Sequence, residues 1–490
     1  MGNNYRYIAR VVLEAKTSLF VGSGETSLLK DAIVQKDHLG LPMIQGTSLT
    51  GVLRHSFFDR YSPDEFEKEF DETKEKLIKL WGYQLSKDEQ KAYNLYFKKN
   101  NHGKKDEEIP KGYGSRLKIS SAYMLYERAK VAEGLDRSEV ESVLTKFANL
   151  PARQHVRITD KGVADEHGLF NHEVVYAGTR FIFEIELIGT KEDENTWKEM
   201  LTRLYQPSFR IGQGSRNGFG SLQIKRIEQR SYNLTDAVDF NNYLNFDPSF
   251  NAQNKGLTEF KAAQAYSFQS YTLELKPDSF FIFSEGYGDD KVDNRPVMEY
   301  TVSYDANGKM VFKNKTLIPA SSIKGAISHR VAFHYNKLLG RWAGGTIEAK
   351  KGTNNEAVKA LFGIEKNDTD GKRGIVLIDD IYFDEEVKND KIFNHVAIDR
   401  FTGGAMEGAL FSEKVSGFTN DESRLKIEIY LEKNDFDDTK IIEALELALI
   451  DICKGLLPLG GMTTKGHGIF TGILKKGSNQ IFNYETQSTN

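Results

Sequence analysis

Apolar side chains fall at every second position in Y-I-A-R-V-V-L-E-A from Tyr7 and in Y-T-L-E-L from Tyr271, so both segments predict strands. After each comes a loop and then an apolar run opening on hydroxyl residues, Thr47 or Ser48 in one case and Ser321 or Ser322 in the other, which predicts a capped helix. Alternation returns in R-F-I-F-E-I-E-L from Arg180 and R-L-K-I-E-I-Y-L from Arg424. Helical periodicity follows at about 194–205 and 439–454, and a strand closes each series.

The same blocks therefore occur twice in the same order. L-F-V-G-S-G from Leu19, Asp31 and I-Q-G-T-S-L-T-G-V-L-R-H from Ile44 match F-F-I-F-S-E-G from Phe280, Asp293 and I-P-A-S-S-I-K-G-A-I-S-H from Ile318. Gly24 precedes Asp31 by the spacing that separates Gly286 from Asp293. L-W-G at Leu80 answers to L-F-G at Leu361, and H-V-R-I-T-D-K-G-V-A from His155 to H-V-A-I-D-R-F-T-G-G-A from His395. Each of the latter runs on to an L-F pair, Leu169–Phe170 or Leu410–Phe411. Glycine-rich loops come last, I-G-Q-G-S-R-N-G-F-G from Ile211 and L-G-G-M-T-T-K-G-H-G from Leu459. The strand–helix–strand–strand–helix–strand order in each half predicts an α+β fold of two tandem ferredoxin-like domains, the arrangement of the RNA recognition motif.

The offset between halves drifts, so these are diverged domains and not a short-period solenoid. The expected division is a first domain over 1–230 with a charged insertion at about 83–112, a linker over 231–265, a second domain over 266–475 and a polar tail over 476–490.

Composition narrows the class. At 490 residues, with 39% hydrophobic and 28% charged residues, the chain is globular and multi-domain. It has no apolar run long enough for a bilayer, and M-G-N-N-Y-R-Y lacks the apolar stretch of a signal peptide. Cys453 is the only cysteine, which excludes an internal disulfide and a Cys-based zinc site and suits a cytoplasmic location. Its apolar helical surroundings predict a packed, inert thiol. The net charge of −4 argues against coating nucleic acid by bulk charge and leaves a local basic groove open.

The glycine-rich loops follow a helix and lead into a strand, the reverse of a nucleotide-binding P-loop. Glycines at 212, 214, 218 and 220 (Gly212, Gly214, Gly218, Gly220), and Gly460, Gly461, Gly466 and Gly468 in the second half, permit close backbone approach to a polyanion. Arg216, Lys465 and His467 add charge there; a tight turn without ligand would use the same glycines. The helix starts offer Gly46, Ser48 and Arg54, and Ser321, Ser322 and Lys324, for phosphate, although an ordinary surface helix has similar cations. His155 with Arg157, and His395 with Arg400, read as RNA contacts or as paired mobile hairpins. Asp31 and Asp293 lie in charged loops where a merely solvated carboxylate is the ordinary alternative.

Taken together, the glycine–aspartate loop, the I-Q-G-T-S-L-T-G and I-P-A-S-S-I-K-G helix starts, L-F-G, I-D-R-F-T-G-G-A and the late glycine-rich loop resemble the RAMP superfamily of CRISPR proteins. The resemblance is strongest to tandem, fused backbone subunits of type III effector complexes. It implies CRISPR guide RNA, complementary target RNA and other effector subunits as partners, without a membrane. It also implies target-RNA cleavage by a loop aspartate with a divalent metal, Mg²⁺ for preference. The aspartate falls on Asp31 and, in the second half, best on Asp293, with Asp289 and Asp290 nearby and Asn294–Arg295–Pro296 departing from the pattern. A non-catalytic guide scaffold and a metal-independent guide-processing endoribonuclease are the competing readings.

Overall fold

The computed structural model describes residues 3–26, 30–58, 72–84, 112–158, 164–262, 268–341, 352–364, 371–384, 388–432 and 436–484. The first half contains β1 (Tyr5–Ala15), α1 (Gly46–Phe58), β2 (Leu117–Ile119), β3 (Ala122–Glu127), β4 (Ala152–Ile158), β5 (Ala164–Glu173), β6 (Arg180–Gly189), α2 (Glu194–Arg203) and β7 (Leu222–Asn233). The second contains β8 (Gln269–Pro277), α3 (Ala320–Leu338), β9 (Val376–Ile378), β10 (Lys388–Ile398), β11 (Ala405–Phe418), β12 (Leu425–Leu431), α4 (Lys440–Cys453), β13 (Phe470–Lys476) and β14 (Asn479–Asn483).

Both halves build an antiparallel sheet with the same strand order. In the first, β1 lies between β7 and β6, and β2 and β3 pair with the far edge of β6. In the second, β8 lies between β13 and β12, and β9 pairs with the far edge of β12. Tyr7, Ala9, Val11 and Leu13 of β1 share one core with Leu49, Leu53 and Phe57 of α1 and Trp197, Met200 and Leu201 of α2. Tyr271, Leu273 and Leu275 of β8 share another with Ile323, Ile327 and Val331 of α3 and Leu445, Leu449 and Ile452 of α4. These side chains recur at alternate strand positions and at three- and four-residue helical spacing, so each sheet buries one face under its helices. Truncating a fully buried leucine such as Leu449 to alanine costs about 2–5 kcal/mol. Cys453 packs in the second core, where burial pushes its thiol up to about 12, as expected of an inert cysteine.

Of the expected linker, residues 231–262 are more ordered than their composition suggests, and 263–265 lie outside the described residues. β7 runs on to Asn233, helix Ala237–Leu244 is capped by Asp236, and Thr258–Glu259 adds a strand to β7. Between them, the backbone carbonyls of Asp247, Ser249 and Ala252 accept hydrogen bonds from Arg10 of β1 at 2.6, 2.7 and 3.1 Å. Phe246 and Phe250 lie against the same guanidinium, which explains why both faces of β1 are buried. The tail expected from 476 begins instead as β14, paired with β13 and burying Phe482; residues 485–490 lie outside the described residues. Of the insertion, 85–111 lies outside them too, and its ends Tyr83–Gln84 and Gly112–Tyr113 pair with each other. Among the described residues, no helix is long and apolar enough to cross a membrane.

The two halves meet through buried charge. Arg153 of β4 pairs with Asp380 and donates from Nε to Glu299 at 3.1 Å, and Glu299 also accepts from Ser18 Oγ at 2.6 Å and Tyr382 Oη at 2.9 Å. Asp379 pairs with Arg210 at 2.6 Å and Lys16 at 2.9 Å. Burial works against the Arg153 guanidinium, but Asp380 and Glu299 outweigh it and hold it charged.

Candidate functional site

The two glycine–aspartate loops close in the same way. Gly24 and Gly286 adopt φ of 85° and 86°. Ser23 N donates to Ile33 O at 3.0 Å and Glu285 N to Arg295 O at 3.1 Å; Gln35 N reaches Val21 O and Val297 N reaches Phe283 O, both at 2.8 Å. The change to Asn294–Arg295–Pro296 keeps these two backbone bonds, although Pro296 cannot repeat the bond that Val34 N donates to Glu173 Oε2. Asp31 and Asp293, both exposed, then take matching places beside a hairpin. Asn171 N donates to Asp31 Oδ2 at 2.8 Å, and Ser412 N donates to Asp293 Oδ2 at 2.7 Å with Ser412 Oγ at 2.8 Å. The Ser412 backbone and hydroxyl bonds hold the Asp293 carboxyl below its usual range. Asp289 instead caps its own loop at Lys291 N and Val292 N, which makes Asp293, and neither Asp289 nor Asp290, the geometric counterpart of Asp31.

Those hairpins share one register. His155 lies opposite Phe170 and Val156 opposite Leu169, with a bulge before Ile158 and Ala164. His395 lies opposite Phe411 and Val396 opposite Leu410, with a bulge before Ile398 and Ala405. Around Asp31 a cleft of about 340 Å³ is lined by His155, Phe170, Asn171, His172, Gln213 and Phe219 among others. His155 and His172 stack at 5.0 Å. Burial first, then His172 and Arg153, lower His155 to about 3; burial and Arg153 lower His172 to about 4. Both are neutral rings, so His155 supplies a stacking surface and no charge. In the second half the corresponding positions hold His395, the buried Glu413 and His467, joined by hydrogen bonds.

The glycine loops share two pinned positions, and this corrects part of what was expected of them. A Cβ on Gly212 would lie 2.0 Å from Phe20 O, and one on Gly460 2.3 Å from Ile282 O. A Cβ on Gly220 or Gly468 would lie 2.1 Å from Ile211 O or Leu459 O; both glycines are buried, as is Gly218, whose Cβ would strike Asp380 and Ala320. Gly218, Gly220 and Gly468 thus serve chain packing and are closed to RNA. Gly466 has nothing within 4 Å of its Cβ position, and Gly214, Gly460 and Gly461 keep accessible surface. Gly46 likewise backs onto Ile119 O, 2.5 Å from its Cβ position.

The charged candidates divide. Arg216 pairs with Glu432 of the other half at 2.7 Å and lines a cavity with His55, Arg210, Gly212 and Arg373 in which Lys465 has no part. Lys324 reaches Asn217 Oδ1 at 3.2 Å across the same joint, and burial and then Arg216 lower it to about 8. His467 is buried against Glu413 and does not reach the surface. Lys465 is exposed, its Nζ 5.1 Å from the Phe411 ring centre, and Arg400 is exposed at the hairpin tip. Arg54 is exposed on α1, and Arg157 lies in β4. The hydroxyls are not caps: Ser48 lies inside the first turn of α1, whose amides turn to Gln45 O. α3 starts at Ala320 after Pro319, with Asp380 accepting Ala320 N at 2.8 Å in place of Ser321 or Ser322.

Among the described residues no three His, Cys, Asp or Glu side chains come together as a metal cage. Each half offers one exposed carboxylate with Oδ2 anchored by the hairpin, a set that suits Mg²⁺ only if water and phosphate oxygens supply the rest of its shell. Asn171, Ser412 and Glu413 escaped sequence reasoning; the signal available was their place directly after the repeated L-F pairs.

The model of the RAMP superfamily matches residues 12–223 and 311–471. The match includes Asp31 and both hairpins; the loop at Asp293 lies outside it, so that equivalence rests on hydrogen bonding. No curated protein matches the chain.

Proposed function

Because the chain belongs to the RAMP superfamily, we propose that it is a CRISPR RNA-binding backbone subunit of a type III interference complex, which holds a guide–target duplex and cuts the target RNA. The observation that carries this reading is the duplicated aspartate, anchored at Asn171 in one half and Ser412 in the other beside hairpins of identical register. The repeated sheet order supports two tandem ferredoxin-like domains. Residues 246–252 cover the outer face of β1, where an RNA recognition motif would stack bases, so RNA approaches along the hairpins and glycine loops instead. A cytoplasmic location belongs to the same reading.

A guide subunit must accept any spacer, which calls for contacts to phosphate and ribose and not to base edges. Lys465, Arg400 and Arg54 supply exposed positive charge, and the accessible loop glycines allow the backbone close to the polyanion. The attacking group is the ribose 2′-hydroxyl of the target, so the chain has only to align it and offset charge on the scissile phosphate. Asn171 and Ser412 fix Asp31 and Asp293 for that task. A magnesium ion held there would bring its own positive charge to the phosphate.

The complex purified from its native source should carry guide-length RNA and cut a complementary target in Mg²⁺ but not in EDTA. Retained guide without cutting would reassign the protein to a passive scaffold, and cutting that ignores the chelator to a metal-independent endoribonuclease.

A further inference from the structure

Glu413 has no exposed surface, and its Oε1 faces two imidazoles, His395 Nε2 at 2.7 Å and His467 Nε2 at 3.3 Å. A carboxylate oxygen can satisfy two ring nitrogens only by accepting from both. Each Nε2 therefore carries hydrogen, and each Nδ1 is the ring's basic atom. His467 is 10% exposed and its Nδ1 is buried, whereas the His395 side chain is 34% exposed. His395 also lies opposite Phe411, directly before Ser412, the residue that anchors Asp293. Asn294, directly after Asp293, bridges to Glu413, and Lys414 N donates to Asn294 O at 2.9 Å. The aspartate, the buried glutamate and the exposed ring thus belong to one hydrogen-bonded unit.

We infer that His395 takes up the proton of the attacking 2′-hydroxyl at the second-half site and that Glu413 is its positioning residue; this rests on the cleavage reading above. The buried carboxylate fixes the tautomer and orientation of the ring and stabilises the imidazolium that forms. In the step, the 2′-oxygen bonds to the adjacent phosphorus and the bond from phosphorus to the 5′-oxygen breaks. The 2′-hydroxyl proton goes to His395 Nδ1, and the departing 5′-oxygen takes a proton from water. The products end in a 2′,3′-cyclic phosphate and a 5′-hydroxyl. The charged and titratable groups around the ring are Glu413, His467 and Lys465, the last lying over Phe411.

The first half has no such device. Its counterparts to Glu413 and His467 are His172, stacked on His155, and Phe219, tilted against both rings. His155 Nε2 is buried without a partner among the described residues, and burial holds the ring uncharged. The two cuts should therefore differ within one molecule, and the first serves as internal reference for the second.

The test is single-turnover target cleavage by the assembled complex. His395→Ala should slow the second cut by about 100-fold or more relative to the first, the usual contribution of a general base. Added imidazole should restore part of that cut, but none of it in Asp293→Asn. Glu413→Gln should lower the rate at the second position without changing target Kd. A second cut at the wild-type rate in His395→Ala, or a loss that imidazole leaves untouched, overturns the assignment while the cleavage reading stands. A fragment ladder unchanged by both Asp31→Asn and Asp293→Asn overturns the two together.

Discussion

Replacing Arg153 with methionine should loosen the joint between the halves more than any other single change. Its side chain is 6% exposed and compensates two acids, Glu299 at 7% and Asp380 at 5%. Without it, Glu299 keeps the hydroxyls of Ser18 and Tyr382, and Asp380 keeps Ala320 N, but neither has a positive partner within the buried set. The packing of the guanidinium 4.2 Å over the Phe219 ring disappears as well. Breaking a buried pair from one side costs about 3–5 kcal/mol, because the remaining charge stays buried. At roughly 2–4 °C per kcal/mol for units of this size, the midpoint should fall by about 10 °C. Burial already raises Asp380, and losing Arg153 raises it further. Protonating it relieves the stranded charge, so the deficit against wild type should shrink in mildly acidic buffer. Calorimetry of wild type and variant at neutral pH and again in acid measures both effects. An unchanged neutral midpoint would refute the view that this charge cluster welds the halves.

Three further outcomes follow from particular residues. Gly466→Ala should cost only the roughly 1–2 kcal/mol of a left-handed conformation; Gly212→Ala, with a Cβ 2.0 Å from Phe20 O, should cost distinctly more in paired urea titrations. His155 and His172, lowered to about 3 and about 4, favour the fold in their neutral forms, so stability should be lost as pH falls below the imidazole's ordinary 6.5. His155→Gln should flatten that acid slope in melts taken across the range. Lys465→Ala should weaken guide retention and lower the salt slope by about 0.7 for each phosphate the lysine neutralises, read from a salt series, whereas Arg216→Ala should act mainly on stability through Glu432.

The repeated parts of the molecule were legible in the sequence. Equal spacing from Gly24 and Gly286 foretold the matching loops of Asp31 and Asp293, and the repeated L-F pairs foretold the register that sets His155 and His395 in equivalent places. Local periodicity and spacing encode such features directly. The partners of Arg216, Gly218 and Lys324 were not legible, because ion pairs and close approaches between residues far apart in the chain leave no local pattern. Nor was the fold-back of 246–252 onto Arg10, which depends on backbone carbonyls that any residue carries. The last strand was obscured by its polar outer face, with Phe482 its buried side chain.

The most direct measurement is target-RNA cleavage by the assembled complex carrying Asp31→Asn, in Mg²⁺ and in EDTA, resolved at nucleotide resolution beside Asp293→Asn and wild type. Guide and target binding should be unchanged. Asp31→Asn should lack one cut and Asp293→Asn a different one, while EDTA abolishes at least the cut that depends on Asp31. An identical fragment ladder for the Asp31 variant and wild type would contradict the assignment of Asp31 as the cleaving carboxylate.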